Sequence, residues 1–218
     1  EIHWVVGALS FLGRMKEAEE LWNRFSAGAT VGQRIAARFF LAITYTRHAQ
    51  YAEGRALFAR NLREARGLRD RRALFFVKQG MGFYRYFSGR PRKAAECAEM
   101  AHGYATEDDF LYGRVLSLDL QGHAMVDSGE IARGLELLER ARRLARDLGN
   151  GSVLQSLDLS LSLYRVQFGL GGEKMLEQVE SRVRKLRSED TYTESALLLE
   201  LSRQYLWRGR IADARATL

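Results

Sequence analysis

The stretch AARFFLAITYTRH carries apolar side chains at positions 36, 37, 39, 40, 41, 42, 43 and 45. Nearly every face of a helix built on it is apolar, which predicts a helix sandwiched between neighbours. ALFFVKQGMGFYRYF (73–87) has the same character. IARGLELLERARRLARDL (131–148) differs: Ile131, Leu135, Leu138, Ala141, Arg142, Ala145 and Leu148 form one stripe with charges opposite, as in an amphipathic surface helix. The two kinds alternate. Enclosed helices, type A, are predicted near 1–12, 31–48, 71–88, 108–128, 152–168 and 192–208. Their type B partners are predicted near 15–27, 51–67, 91–104, 131–148, 173–187 and from 211 onward. Thr106 with Asp109, and Thr191 with Glu194, stand at capping-box spacing. LGNGS (148–152) reads as a helix stop followed at once by a new start.

A second pattern runs through the first. In LGRMKEAEEL a turn glycine, Gly13, precedes a small residue, Ala18, and a large one, Leu21. The same figure returns with Ala49, Gly54 and Leu57, with Gly89, Ala94 and Cys97, and with Gly129, Gly134 and Leu137. It returns more loosely with Gly171, Leu176 and Val179, and closes with Gly209, Ala214 and Thr217. The first members, 13, 49, 89, 129, 171 and 209, lie 36, 40, 40, 42 and 38 residues apart. Seven residues before them stand Ala42, Gly82, Gly122 and Ser202, with Gly7 one place off and Tyr164 as the exception. Small side chains on both sides of a turn let two helices lie close, and glycine ends the first because it accepts a left-handed backbone. Self-similarity at this interval marks a helical solenoid. No linker or composition break interrupts it, so residues 1–218 are expected to form a single array.

Composition agrees with that picture. The 218 residues are 46% hydrophobic and include one proline, which excludes disorder and disfavours a strand-and-turn fold. One cysteine, Cys97, excludes an intramolecular disulfide framework. No uncharged apolar run approaches the ~18 residues a membrane span needs. A cytoplasmic location follows as the expectation. The chain opens without methionine inside an amphipathic segment and closes within a helical pattern, so it is expected to be a piece of a longer protein. The formal charge of +7 admits an anionic partner, although arginines paired with Glu four residues away, as in Glu136–Arg140 and Glu139–Arg143, give a plainer explanation.

The repeat resembles the tetratricopeptide repeat. That 34-residue helix-turn-helix has small residues where Ala42, Gly82, Gly122 and Ser202 stand, its turn glycine at Gly13, Gly89, Gly129 and Gly209, and its alanine at Ala18, Ala94 and Ala214. Tyr45 and Tyr205 match its tyrosine position, and Trp22 and Phe58 its second-helix aromatic. The period near 39 and the missing late proline depart from it, and look like the longer, degenerate repeats in sensor regions of bacterial multi-domain regulators, such as LuxR-type ATP-binding activators and large serine/threonine kinases. The resemblance implies an all-α, right-handed superhelix of about five and a half helix pairs. It also implies a non-catalytic module that binds a protein, a peptide or a small inducer.

No motif of residue chemistry competes with that reading. His3, His48, His102 and His123 lack paired metal spacing, and Cys97 has no CxxC partner. GLGGE (169–173) lacks the Lys-Ser/Thr of a phosphate loop. Asp108–Asp109 and Glu189–Asp190 suit the start of a helix. Neither catalytic residues, a metal nor a cofactor is therefore expected. In the family the A helices line a concave face, which places groove positions three, six and ten residues before each turn. These are Tyr86, Phe83 and Gln79, then Val126, His123 and Asp119, then Phe168, Arg165 and Leu161, and last Leu206, Arg203 and Leu199, with Arg47 and Asp127 beside them. Aromatic area and arginine forks in one trough suit peptide recognition. Two other classes stay open. RARRLAR (140–146) and RVRKLR (182–187) provide Arg142, Arg143, Arg146, Arg184 and Lys185 for nucleic acid, and the array could instead be a structural scaffold or self-association surface.

Overall fold

The computed structural model describes residues 2–48, 50–186 and 191–217, leaving aside the side chains of residues 11, 184, 186, 191–197 and 200. Ala49, the Glu189–Asp190 pair and the Thr191/Glu194 capping box lie outside the described residues or side chains. Twelve α-helices and no strand form among the described residues: α1 Ile2–Phe11, α2 Met15–Phe25, α3 Val31–Arg47, α4 Tyr51–Glu64, α5 Arg71–Phe87, α6 Pro91–Glu107, α7 Leu111–Asp127, α8 Ile131–Asp147, α9 Gly151–Gln167, α10 Glu173–Leu186, α11 Thr191–Trp207 and α12 Ile211–Thr217. They gather into two compact units, Glu1–Leu148 and Gly149–Leu218. No described helix is long and apolar enough to cross a membrane.

The period is finer than the glycine series suggests. Left-handed backbone occurs at Gly89, Asp109, Gly129, Gly149 and Gly169, each twenty residues after the last, and again at Gly209. From α5 to α9 every helix has 17 residues, about 25 Å of rod. A 20-residue helix-plus-turn is thus the unit, and two of them make the 40-residue pair. The turns close alike: Arg90 N–H donates to Arg85 O at 2.9 Å, Phe110 to Ala105 at 2.8 Å and Glu130 to Met125 at 2.9 Å, the Schellman arrangement of a left-handed cap.

Two local expectations are corrected. The left-handed residue after α9 is Gly169, not Gly171. Residues 168–172 separate α9 from α10, where three residues separate each neighbouring pair from α5 to α9, so the glycine two places further on is not the one that ends the helix. Thr106 and Asp109 form no capping box either. Thr106 lies inside α6 and donates its hydroxyl to His102 O at 2.8 Å, while Asp109 takes the left-handed position at φ 47°. Side-chain caps occur instead at Thr30 with Gln33, at Asp70 on Ala73 N and at Asn150 on Val153 N.

The small positions do what close packing requires. A Cβ at Gly122 would stand 2.6 Å from Leu138 Cγ and 3.0 Å from Gly134 O, and one at Gly134 2.7 Å from Gly122 O. The α7 and α8 backbones therefore touch at a point where no side chain fits.

Each unit has its own core. In the first, Phe39, Phe40, Phe75 and Phe76 are buried together with Phe110. Trp4 of α1 joins them, 5.7 Å from Phe40, 6.2 Å from Phe76 and Phe110, and 5.7 Å from Tyr112. Each fully buried Phe contributes roughly 1.5–3 kcal/mol by transfer alone. Arg38 is 2% exposed and meets Glu64 at 2.9 Å, which clamps α3 to α4. In the second unit Leu159, Leu163 and Val166 of α9 pack with Leu176, Val179 and Val183 of α10 and with Leu201 and Tyr205 of α11.

Candidate functional site

Two side-chain pairs stand among the expected groove positions of the first unit, one joining α5 to α7 and one within α7. The Tyr86 hydroxyl donates to Asp127 Oδ2 at 2.6 Å, tying the last turn of α5 to the last turn of α7. Both residues precede a left-handed glycine by two or three positions, so the regular helix length sets their register. One turn and more up α7, His123 Nε2 lies 3.3 Å from Asp119 Oδ1, at the i,i+4 spacing that stacks side chains on one face. The Tyr112 hydroxyl is pushed up by burial; the Arg47 charge opposes that and the Asp119 charge adds to it. Arg47 and Asp119 therefore act on one phenol, from α3 and α7 respectively. Phe83 stacks on Phe87 with centroids 6.4 Å apart, and Tyr86 meets Phe87 edge-on at 5.6 Å.

The residues expected at the groove separate into three sets. Tyr86 pairs with Asp127 and Asp119 pairs with His123, while Arg47 lies in the last turn of α3. Gln79 and Phe83 turn into the protein instead. Gln79 is fully buried and donates Nε2 to Leu116 O at 2.8 Å, while Phe83 packs on the core beside Phe39 at 6.3 Å. Arg165, Phe168 and Arg203 belong to the second unit. Counted from the true turn residue Gly169, the positions corresponding to Tyr86, Phe83 and Gln79 are Val166, Leu163 and Leu159, all buried in the α9–α11 core. Phe168 is the C-cap of α9 and stacks on Tyr164 at 6.2 Å, while Arg165 lies in the last turn of that helix. Arg203 is exposed on α11.

Tyr112 was not foreseen. It stands at the start of α7, far from the turn glycine that anchors the count, and only its three-dimensional placement against Trp4 and Phe110 reveals it. His102 was foreseen only as an unpaired histidine. It is half-buried on α6 with Nδ1 3.1 Å from Ser117 Oγ, and burial first, then the charges of Arg140 and Arg114, push it down. Cys97 fills a packing position beside α5, accepts from Arg85 Nη1 at 2.9 Å, and has its thiol pushed up by burial.

The arginines considered for nucleic acid are divided. Arg142 is half-buried and paired with Glu139 at 2.9 Å, whereas Arg143 and Arg146 are exposed on α8. Lys185 is exposed on α10 beside Glu177, Glu180 and Ser181, in the other unit, and the Arg184 side chain lies outside the described residues. Among the described residues no three His, Cys, Asp or Glu side chains stand together as metal ligands would. No protein-family model matches the chain, and no curated protein matches it.

Proposed function

We propose that the chain is a tetratricopeptide-like recognition array, a right-handed stack of helix pairs in a regulatory or signalling protein. In this reading it binds an extended protein segment against α3, α5 and α7. The observation that carries this is the Tyr86–Asp127 hydrogen bond between α5 and α7, with the Asp119–His123 pair further along α7 at i,i+4 spacing. The all-helical pairs, the 40-residue period and the small residues at the helix crossings support the array. Two carboxylates, a phenol and an imidazole, with the half-buried Phe87 ring edge-on to Tyr86, offer directional contacts and apolar area together, as peptide-binding surfaces do. A segment with a basic residue opposite Asp119 and Asp127, and a carboxylate opposite Arg47, fits that charge order. The nucleic-acid alternative gains less, since Arg142 is already neutralised by Glu139.

The test is selection from a randomised peptide-display library on the full chain, followed by titration of the enriched peptide. Arg47→Ala and Asp127→Ala are each expected to weaken it about tenfold or more, with the thermal midpoint measured alongside. Equal binding by both variants, or no enriched sequence, would overturn the reading.

A further inference from the structure

Arginine stands at every third position from Arg60 to Arg72: Arg60, Arg63, Arg66, Arg69 and Arg72. Arg71 makes six, and only Glu64 and Asp70 oppose them in that segment, so this short stretch holds a surplus of four of the chain's seven formal charges. It comprises the last turn of α4, a turn with left-handed Gly67 and the first turn of α5.

Every carboxylate at this corner is already engaged. Glu64 is shared by Arg38 at 2.9 Å, Arg60 at 3.1 Å and Arg34 at 3.5 Å. Asp70 Oδ1 accepts from Ala73 N at 3.0 Å and caps α5. Glu107 holds Arg71 at 2.8 Å and Asp108 holds Arg72 at 2.7 Å. Arg63, Arg66 and Arg69 are left exposed, and no described carboxylate pairs with any of them. Leu62, 41% exposed, stands among them.

We propose that this corner docks an acidic protein segment, its carboxylates on Arg63, Arg66 and Arg69 and one apolar side chain on Leu62. The basic residues are all arginine, whose planar fork takes a carboxylate with two hydrogen bonds. Single-stranded nucleic acid needs aromatic faces to stack its bases. The one exposed aromatic on α4, Tyr51, stands at the opposite end of the helix, about 20 Å from the arginines. A membrane surface needs more apolar area than one leucine. The corner is separate from the Tyr86–Asp127 surface, so either can fail without the other.

The probe is a fluorescein-labelled peptide of seven glutamates and one leucine, titrated by anisotropy against the full chain at about 50 mM salt. Saturable binding is expected. It should weaken about tenfold or more when Arg63→Gln, Arg66→Gln and Arg69→Gln are combined, and several-fold when the peptide's leucine becomes glycine. The parallel triple change at Arg140, Arg143 and Arg146 should leave it unaltered. Arg66→Gln alone should act in the same direction, which keeps the test open if the triple variant loses stability. Absent binding, or equal binding by the α4 variants, would overturn the proposal. So would tighter capture of a single-stranded oligonucleotide or of phosphatidylserine vesicles through the same three arginines.

Discussion

Trp4 in α1 and Tyr112 in α7 meet edge-on, with ring centroids 5.7 Å apart and planes at 73°. The first and seventh helices therefore share one aromatic cluster, in which Trp4 also touches Phe40, Phe76 and Phe110. α1 docks through this side chain and through Val6, which is buried with Ala18, Trp22, Ala37 and Leu41. Trp4→Ala is expected to destabilise the first unit by about 3 kcal/mol, read as a lower urea midpoint. An unchanged midpoint would show that α1 does not dock through Trp4.

Close approach of α7 and α8 at Gly122 gives a sharper contrast. Gly122→Ala places a methyl 2.6 Å from Leu138 Cγ and 3.0 Å from the Gly134 carbonyl, and is expected to cost about 1–3 kcal/mol. Gly103→Ala, inside α6 with nothing within 4 Å of its added Cβ, is expected to stabilise by up to about 1 kcal/mol. Thermal unfolding of the two variants should move in opposite directions.

Asp109 occupies the left-handed position that glycine fills at 89, 129, 149 and 169. Asp109→Gly removes a strained backbone and is expected to raise stability by about 1 kcal/mol. A fall in the unfolding midpoint would show that the Asp109 side chain contributes more than its backbone costs.

Acid should destabilise the first unit in two windows. His102 is pushed down in the folded state, chiefly by burial, so the unfolded chain binds its proton more readily. That stability is present above the ordinary histidine value, about 6.5, and is lost as pH falls below it. Burial would raise the Glu64 carboxyl, but Arg38, Arg60 and Arg34 outweigh it and hold it at about 2. Its contribution is present above about 4.5 and is lost as pH falls toward about 2. Urea midpoints across pH should decline in both windows. His102→Gln should flatten the upper one and Glu64→Gln the lower one.

The helices were legible because apolar periodicity and turn glycines mark the same boundaries, as at Gly89 and Gly129. The B-to-A turn at Gly149 was legible from LGNGS for the same reason, but the turn at Asp109 was not, because an aspartate there reads as a helix start and instead takes the left-handed position. The five-residue turn at 168–172 moved the count by two and displaced Arg165 and Phe168 from the stripe they were assigned. Nothing in a run such as FFVKQGMGFYRY says whether a given side chain meets the next helix or water. Gln79 and Phe83 were read as groove residues for that reason, and they belong to the packing between helices. The Asp119–His123 pair was legible as i,i+4 spacing, and Tyr86–Asp127 as an offset of 41 residues, close to one repeat. The pairing of Arg71 and Arg72 with Glu107 and Asp108 depends on helix ends that only the folded chain brings together.

The central claim is that the α3, α5 and α7 surface around Tyr86 and Asp127 is where this chain recognises its partner. Amide chemical-shift mapping during titration with the selected peptide tests it most directly. The expected result is a cluster of perturbed amides at Arg47, Tyr86, Asp119, His123 and Asp127. Perturbations confined to α8 around Arg143 and Arg146, with those five residues silent, would contradict it.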